Sequence, residues 1–369
     1  MLTILTIFGT RPEAIKLAPV VLELARHPDE IRSVVCITAQ HRDMLDQVLA
    51  IFDIRPDLDL NLMTENQSLP DLTAAALVGV TRVLEEVQPN VALVQGDTTS
   101  AMAAGLAAFY RKIPVGHVEA GLRTGDRYQP FPEEINRRLL SSIATYHFAP
   151  TEVAYAALLG EGVPAESVLM TGNTVVDALQ TIARKGEARN GLAALGVEHR
   201  LILMTAHRRE NFGTPLEDIC RAVLRLVDRN PDVEVAYPVH PNPNVRGTVE
   251  RMLSGQERIH LLPPLEYDQF IHLLARSILV LTDSGGLQEE GPVLGKPVLV
   301  MRETTERPEG LAAGSNRLVG TDTESIVSEA ERLLHNPTEY EAMARASNPF
   351  GDGRAAVRIV EFLRATMSS

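Results

Sequence analysis

Cysteine is scarce in this chain, basic runs are missing, and no apolar stretch is long enough to cross a bilayer. Its two thiols, Cys36 and Cys220, sit in apolar patterns and fit no metal or redox spacing. They read as buried thiols of a reducing, cytoplasmic compartment, which excludes a disulfide scaffold. The net charge is −13 and no long basic run occurs. A nucleic-acid groove and a polybasic membrane patch are thereby excluded. A phosphorylated ligand is not, because its site needs only a few local cations. No apolar run approaches the roughly 18 residues of a membrane span. The apolar start M-L-T-I-L-T-I-F-G-T lacks a basic n-region and soon meets Arg11 and Pro12, so it reads as a first strand. Metal-ligand clusters, a GxSxG elbow and a clear internal repeat are also absent from the sequence. What is there is ordinary for a globular protein: 45% hydrophobic and 22% charged residues. A length of 369 residues suggests two or three domains with a sizeable core.

The most informative stretch runs from Ile278 to Val300, I-L-V-L-T-D-S-G-G-L-Q-E-E-G-P-V-L-G-K-P-V-L-V. It predicts a strand, a Gly turn, a helix and a second strand. Ser284, Gly285 and Gly286 would present backbone N–H groups at a helix N-terminus, a natural anion site. Glycine suits it because a Cβ would block a phosphate. Glu289 and Glu290 are expected in the first turn, as acceptors for hydroxyls or as acids that favour the dipole.

The same rhythm fills the chain. Leu2–Phe8 predicts a strand, and Gly9 and Thr10 a turn into a helix with Pro12 at its start. Arg11 and Lys16 near that N-terminus oppose the macrodipole, which makes sense if an anion binds there. Ser33–Thr38 predicts a strand that leads into Gln40, His41 and Arg42. The segment from Asn61 to Asp71, with Gln67, predicts a loop. Asp97 follows the predicted strand Val91–Gln95, and Glu119 follows Pro114–Val118. Strand ends of this kind line the ligand crevice of an open α/β sheet. Then Glu133 and Glu134 open a helix, with Arg137 and Arg138 a turn later. Asp97, Glu119 and Glu133 are therefore candidates for acid/base work.

A restart of the βα rhythm predicts a second doubly wound sheet, with the boundary near Gly172. There His207, Arg208, Glu210 and Asn211 follow the strand Leu201–Ala206, and His240 follows Val233–Pro238. Phe270 lies on an amphipathic segment from Tyr267 to Ala275 and offers a face for a base. Arg302, Glu306 and Arg307 follow Val300, beside the same predicted crevice.

Together these motifs resemble the non-hydrolysing UDP-N-acetylglucosamine 2-epimerases. The signatures are F-G-T-R-P-E-A-I-K, Q-G-D-T-T-S, H-V-E-A-G-L-R-T, F-P-E-E-I-N-R, T-A-H-R-R-E-N, P-V-H-P-N-P, L-T-D-S-G-G-L-Q-E-E and G-K-P-V-L-V-M-R-E-T-T-E-R-P-E. They span nearly the whole chain in the family's order. The resemblance implies a GT-B fold, α/β, with two Rossmann-like domains facing across a cleft. Residues 1–171 with a returning helix at 352–369 would form the first, and 172–351 the UDP-binding second.

The resemblance further implies reversible inversion at C2, between UDP-GlcNAc and UDP-ManNAc, through a 2-acetamidoglucal intermediate. Asp97, Glu119, Glu133 and His207 match the residues implicated in catalysis. Arg11, Lys16, Arg208, His240, Phe270, Ser284, Gly285, Gly286, Glu290 and Arg307 would hold UDP. Gln40, His41, Gln67 and Arg123, with Glu119, match positions that bind an activating second UDP-GlcNAc. One uracil-contact position, often Gln in the family, is Leu265 here. No metal or other cofactor, no nucleic acid and no membrane is implied, and the family suggests a homodimer. The rival readings are a hydrolysing epimerase, a GT-B glycosyltransferase and a regulatory UDP-sugar sensor without turnover.

Overall fold

The structure is a computed structural model that describes residues 1–38, 42–62, 67–184, 199–305 and 307–367, with main chain only at 42–44. The chain forms two compact units, Met1–Ala178 with Phe350–Ser369, and Leu179–Pro349.

In the first unit the order is β1 (Leu2–Phe8), α1 (Arg11–Leu24), β2 (Ile31–Ile37), α2 (Arg42–Phe52), β3 (Leu58–Asp59), α3 (Leu69–Val87), β4 (Val91–Gln95) and α4 (Thr99–Tyr110). There follow β5 (Val115–Val118), α5 (Glu133–Ile143), β6 (Tyr146–Ala149), α6 (Glu152–Gly160), β7 (Val168–Met170) and the start of α7 (Thr174–Arg184), whose residues from Leu179 on count with the second unit. The seven strands pair in parallel in the order β3-β2-β1-β4-β5-β6-β7. In β1, Ile4, Leu5, Ile7 and Phe8 are all buried, with no in–out alternation. That is the signature of a sheet covered on both faces. Helix α4 buries alanines at 101, 103, 104, 107 and 108. At Gly105 a Cβ would come within 2.6 Å of Leu140 of α5, so glycine permits the close approach of these two helices.

The C-terminal helix Ala355–Met367 belongs to this unit. Asp177 accepts hydrogen bonds from the N–H groups of Ala355 and Ala356, at 3.3 and 3.0 Å, and so caps it. Phe362 meets Tyr146 and Phe148 edge-on, with centroids 5.4 and 5.8 Å away. The chain returns past itself at Gly172 and Gly351, both with positive φ. A Cβ on either would stand 3.2–3.3 Å from the other's Cα.

The second unit runs β8 (Arg200–Thr205), α8 (Thr214–Arg229), β9 (Val233–Pro238), α9 (Pro243–Leu253), β10 (Ile259–Leu262), α10 (Tyr267–Arg276) and β11 (Leu279–Thr282). It continues with α11 (Gly285–Val293), β12 (Val298–Val300), α12 (Pro308–Ala313), β13 (Asn316–Leu318), α13 (Thr323–His335) and α14 (Pro337–Ala344). Its six strands pair in parallel in the order β10-β9-β8-β11-β12-β13. In both sheets the order reverses between the first and fourth strands of the unit. Ligands of open α/β sheets bind beside the strand ends at such a switch point.

The expected loop at 61–71 ends early. Helix α3 starts at Leu69 because Ser68 caps it, accepting from Asp71 N–H at 3.3 Å, with Pro70 in the first turn.

Candidate active site

In the first unit, charged side chains gather where β1, β4 and β5 end. Thr10 stands at the N-cap position of α1, and Glu13 reaches back to its N–H as in a capping box. One oxygen of Glu13 accepts from the N–H groups of Gly9 and Thr10, at 3.1 and 2.7 Å. The other accepts from the Thr98 hydroxyl at 2.7 Å. Glu13 is fully enclosed; burial raises its pKa despite these bonds.

The pairing of Gln95 with Val118 sets the ends of β4 and β5 side by side. Glu119 follows at φ +64°, a left-handed conformation that a non-glycine residue holds only under constraint. Its Oε2 lies 2.5 Å from Lys16 Nζ. Asp97 pairs with the Arg137 guanidinium. Burial pushes the Asp97 carboxyl above its ordinary value; Arg137 opposes that shift and the charge of Glu119 adds to it. Asp97, Glu119 and Lys16 thus feel one another, and Lys16, read from the sequence as a partner for an anionic ligand, is paired with Glu119 here.

Two neighbouring glutamates differ sharply. Glu134 is completely buried and accepts from Thr124 N–H at 3.1 Å, Arg138 at 3.0 Å and Arg137 at 3.3 Å. Burial alone would raise its pKa, but these bonds hold it below the ordinary value. It is a strut. Glu133, by contrast, has a buried Oε2 that accepts no hydrogen bond. A buried acceptor without a donor is costly, and such atoms mark ligand sites.

The activator candidates divide. Gln40 and His41 lie outside the described residues. The Oε1 of Gln67 is buried without a donor. Arg123 is occupied by Glu161, at 2.6 and 2.7 Å, by Ser141 Oγ at 2.8 Å and by its neighbour's carbonyl.

In the second unit, β8 and β11 are neighbours and their ends share one carboxylate. Asp283 is fully buried. Its Oδ2 accepts from His207 N–H and Arg208 N–H, both at 2.8 Å, and from the Asn211 amide at 3.0 Å. Its Oδ1 lies 3.3 Å from His207 Nδ1. The His207 ring stacks on His240, with centroids 5.5 Å apart and planes at 12°. Burial pulls the imidazole of His207 below its ordinary pKa; Asp283 opposes this, while His240 and Arg208 add to it.

At α11 the expectation needs two corrections. Gly285 and Gly286 do not form a turn: they take helical conformation directly after Ser284 and are the first residues of α11. Glu289 and Glu290 consequently fall outside the first turn, which holds no acid. Their partners lie elsewhere. Glu289 pairs with Arg307, and Glu290 Oε1 accepts from the Tyr267 hydroxyl at 3.3 Å. A helix N-terminus does begin at this point. Ser284 makes no side-chain cap, and a Cβ on exposed Gly286 would meet nothing nearer than Ser284 Oγ at 3.8 Å. Phe270 sits half-buried on α10. Glu306 lies outside the described residues.

Three organising residues escaped the sequence reading: Glu13, Asp283 and the role of Arg137 as partner of Asp97. The run T-R-P-E after a strand is a capping-box signature and could have flagged Glu13. Nothing local marks Asp283 beyond its place at a strand end. Among the described residues no group of three or more His, Cys, Asp or Glu is arranged for a metal ion. No described helix is long and apolar enough to cross a membrane.

Residues 22–364 match the profile of a family described as UDP-N-acetylglucosamine 2-epimerase. A Bacillus subtilis protein of that name is 54% identical, over 98% of this chain and 95% of its own length. An Escherichia coli protein of the same name is 52% identical, over 98% of each chain. The crystal structure of UDP-GlcNAc 2-epimerase from Neisseria meningitidis bound to UDP-GlcNAc superposes with a TM-score of 0.85, at 50% identity, over 98% of this chain and 99% of that one.

Proposed function

The chain belongs to the UDP-N-acetylglucosamine 2-epimerase family, and from that premise we propose that it interconverts UDP-GlcNAc and UDP-ManNAc without releasing free sugar. The hydrogen at C2 has no adjacent carbonyl, so a base alone cannot remove it. Loss of that proton must accompany departure of UDP from C1, which leaves a C1=C2 double bond, the 2-acetamidoglucal. A proton then returns to C2 from the other face and UDP oxygen re-forms the bond to C1.

We assign UDP to the second unit's Ser284, Gly285, Gly286, Glu290, Arg307, Arg208, His240 and Phe270, with Arg11 and Lys16 meeting the developing charge of the leaving group. Proton transfer falls to Asp97, Glu119, Glu133 and His207, each worth roughly 10²–10⁴-fold. Asp97 and Glu119 are the observation that carries the reading. They stand on neighbouring strand ends, and burial together with the charge of Glu119 pushes the Asp97 carboxyl up. A carboxyl raised in this way suits a general acid. The reading includes a homodimer and an activating UDP-GlcNAc at Gln40, His41, Gln67 and Arg123. In heavy water, NMR of UDP-GlcNAc with the protein should show deuterium entering C2 of both epimers. Irreversible, stoichiometric release of UDP and free ManNAc would overturn it.

A further inference from the structure

We propose that Asp283 is a positioning residue that aims His207, fixing its proton on Nδ1 and leaving Nε2 as the nitrogen that meets substrate. The inference rests on the assignment of His207 to proton transfer. Asp283 cannot reach outward itself, because it is fully buried. Its two oxygens divide the work. Oδ2 takes the N–H groups of His207 and Arg208 and the Asn211 amide, which pins the main chain of the loop. The Asn211 amide also donates to the Met301 carbonyl at 3.2 Å, tying that loop to the end of β12. Oδ1 is buried without a hydrogen-bond donor and faces the ring Nδ1 at 3.3 Å, an ion-pair distance that a small turn of the ring converts into a hydrogen bond. A carboxylate only accepts, so a neutral imidazole held against it carries its hydrogen on that nitrogen.

Three groups face the ring. Asp283 approaches from the end of β11, His240 from the end of β9, and Arg208 from the same loop as His207. Only Asp283 among them is an anion. His240 lies nearly parallel to it in an offset stack, and its Nδ1 accepts from Asn242 N–H at 3.1 Å. Stacking fixes the plane of the ring and Asp283 fixes its orientation within that plane. The result is a side chain with one conformation and one tautomer before any substrate arrives.

The isosteric change Asp283→Asn separates aiming from scaffolding. Its amide oxygen can replace Oδ2 and keep the loop's three N–H donors. Its amide NH₂ then stands where Oδ1 stood and forces the ring to accept on Nδ1, which moves the proton to Nε2. Correct geometry with the wrong tautomer is expected to lower kcat about 10²-fold or more, with UDP affinity by calorimetry changed less than about threefold. The acid limb of the kcat/KM profile should also move to lower pH, since the imidazolium loses its anion. A residue that merely held the loop would instead weaken UDP binding and leave that limb in place.

Nitrogen-15 NMR of the intact wild-type protein gives a test that needs no variant to fold. The neutral His207 signal, identified by its loss in His207→Gln, should report hydrogen on Nδ1. Hydrogen on Nε2 would overturn the proposal. So would Asp283→Asn with normal turnover and an unmoved acid limb while His207→Gln is inactive. Normal turnover in His207→Gln would remove the role of His207, and the aiming role with it.

Discussion

Each unit ties its switch-point turns together with one buried carboxylate, and the two carboxylates are used differently. Glu13 joins the turn after β1 to the turn after β4. Asp283 joins the turn after β8 to the end of β11, which it follows directly. In both sheets these are the adjacent strands where the order reverses. All the hydrogen bonds named for Glu13 come from uncharged donors, and burial raises its pKa. One oxygen of Asp283 is instead given to a histidine that is 38% exposed. The difference shows how one device serves two ends. Where both oxygens go to the frame, the carboxylate only sets geometry. Where one faces a titratable ring, it also sets chemistry.

The largest expected effects test whether chemistry in the first unit lies beside its sealed carboxylate rather than on it. Asp97→Asn and Glu119→Gln should each lower kcat by at least tenfold, and by ~10²–10⁴-fold if each moves a proton in the transition state. Circular dichroism and the urea midpoint should stay close to wild type, because both changes keep the shape of the side chain and Arg137 retains Glu134 as a partner. Normal turnover in either variant would remove that residue from the chemistry.

Glu13 should behave in the opposite way. Glu13→Ala strands the N–H groups of Gly9 and Thr10 and the hydroxyl of Thr98, at about 1–3 kcal/mol for each group left without water. A loss of ~3 kcal/mol in urea unfolding is expected, with a milder loss for Glu13→Gln, whose oxygen still accepts from both N–H groups. The pH dependence has a definite sign. With a folded pKa above the ordinary 4.5, the native state holds this proton where the unfolded chain has released it. Stability from Glu13 is therefore full below the ordinary value and falls as pH rises through the folded one. Subtracting the Glu13→Gln stability curve from the wild-type curve isolates that slope. A flat difference from pH 4 upward would mean that Glu13 folds fully charged, and the contrast with Asp283 would narrow to geometry alone.

Much of this arrangement was legible in the sequence, for reasons that particular residues make plain. The limits of β1, β4 and β9 follow from β-rich, mostly apolar runs, and the ends of β4, β5 and β8 then point to Asp97, Glu119 and His207. Local periodicity says nothing about partners far along the chain. Asp283 acts on residues 76 and 75 positions away, and Thr98 reaches Glu13 across 85. The short elements β3 and β13 carry two and three residues, too few for a period to register. At α11 the local signal misled: two glycines suggested a turn, yet they are the residues that start the helix.

That start supplies the smallest expected effect and the finest probe of the comparison. Gly286 is exposed, its φ is not left-handed, and a Cβ there would have open space around it. The fold itself therefore gives no reason for glycine. By helix propensity alone Gly286→Ala should stabilise the second unit slightly, by up to about 1 kcal/mol. If phosphate oxygens of UDP come to the N–H groups of Gly285 and Gly286, the added methyl group stands in their way. UDP affinity should then fall at least about tenfold, equivalent to ~1.4 kcal/mol. A thermal scan with and without UDP separates the two effects in one sample: Tm of the free protein rises or holds, while the UDP-dependent increase shrinks. An unchanged UDP increase would move the diphosphate away from α11, and Asp283 would then aim His207 at a site that this helix does not border.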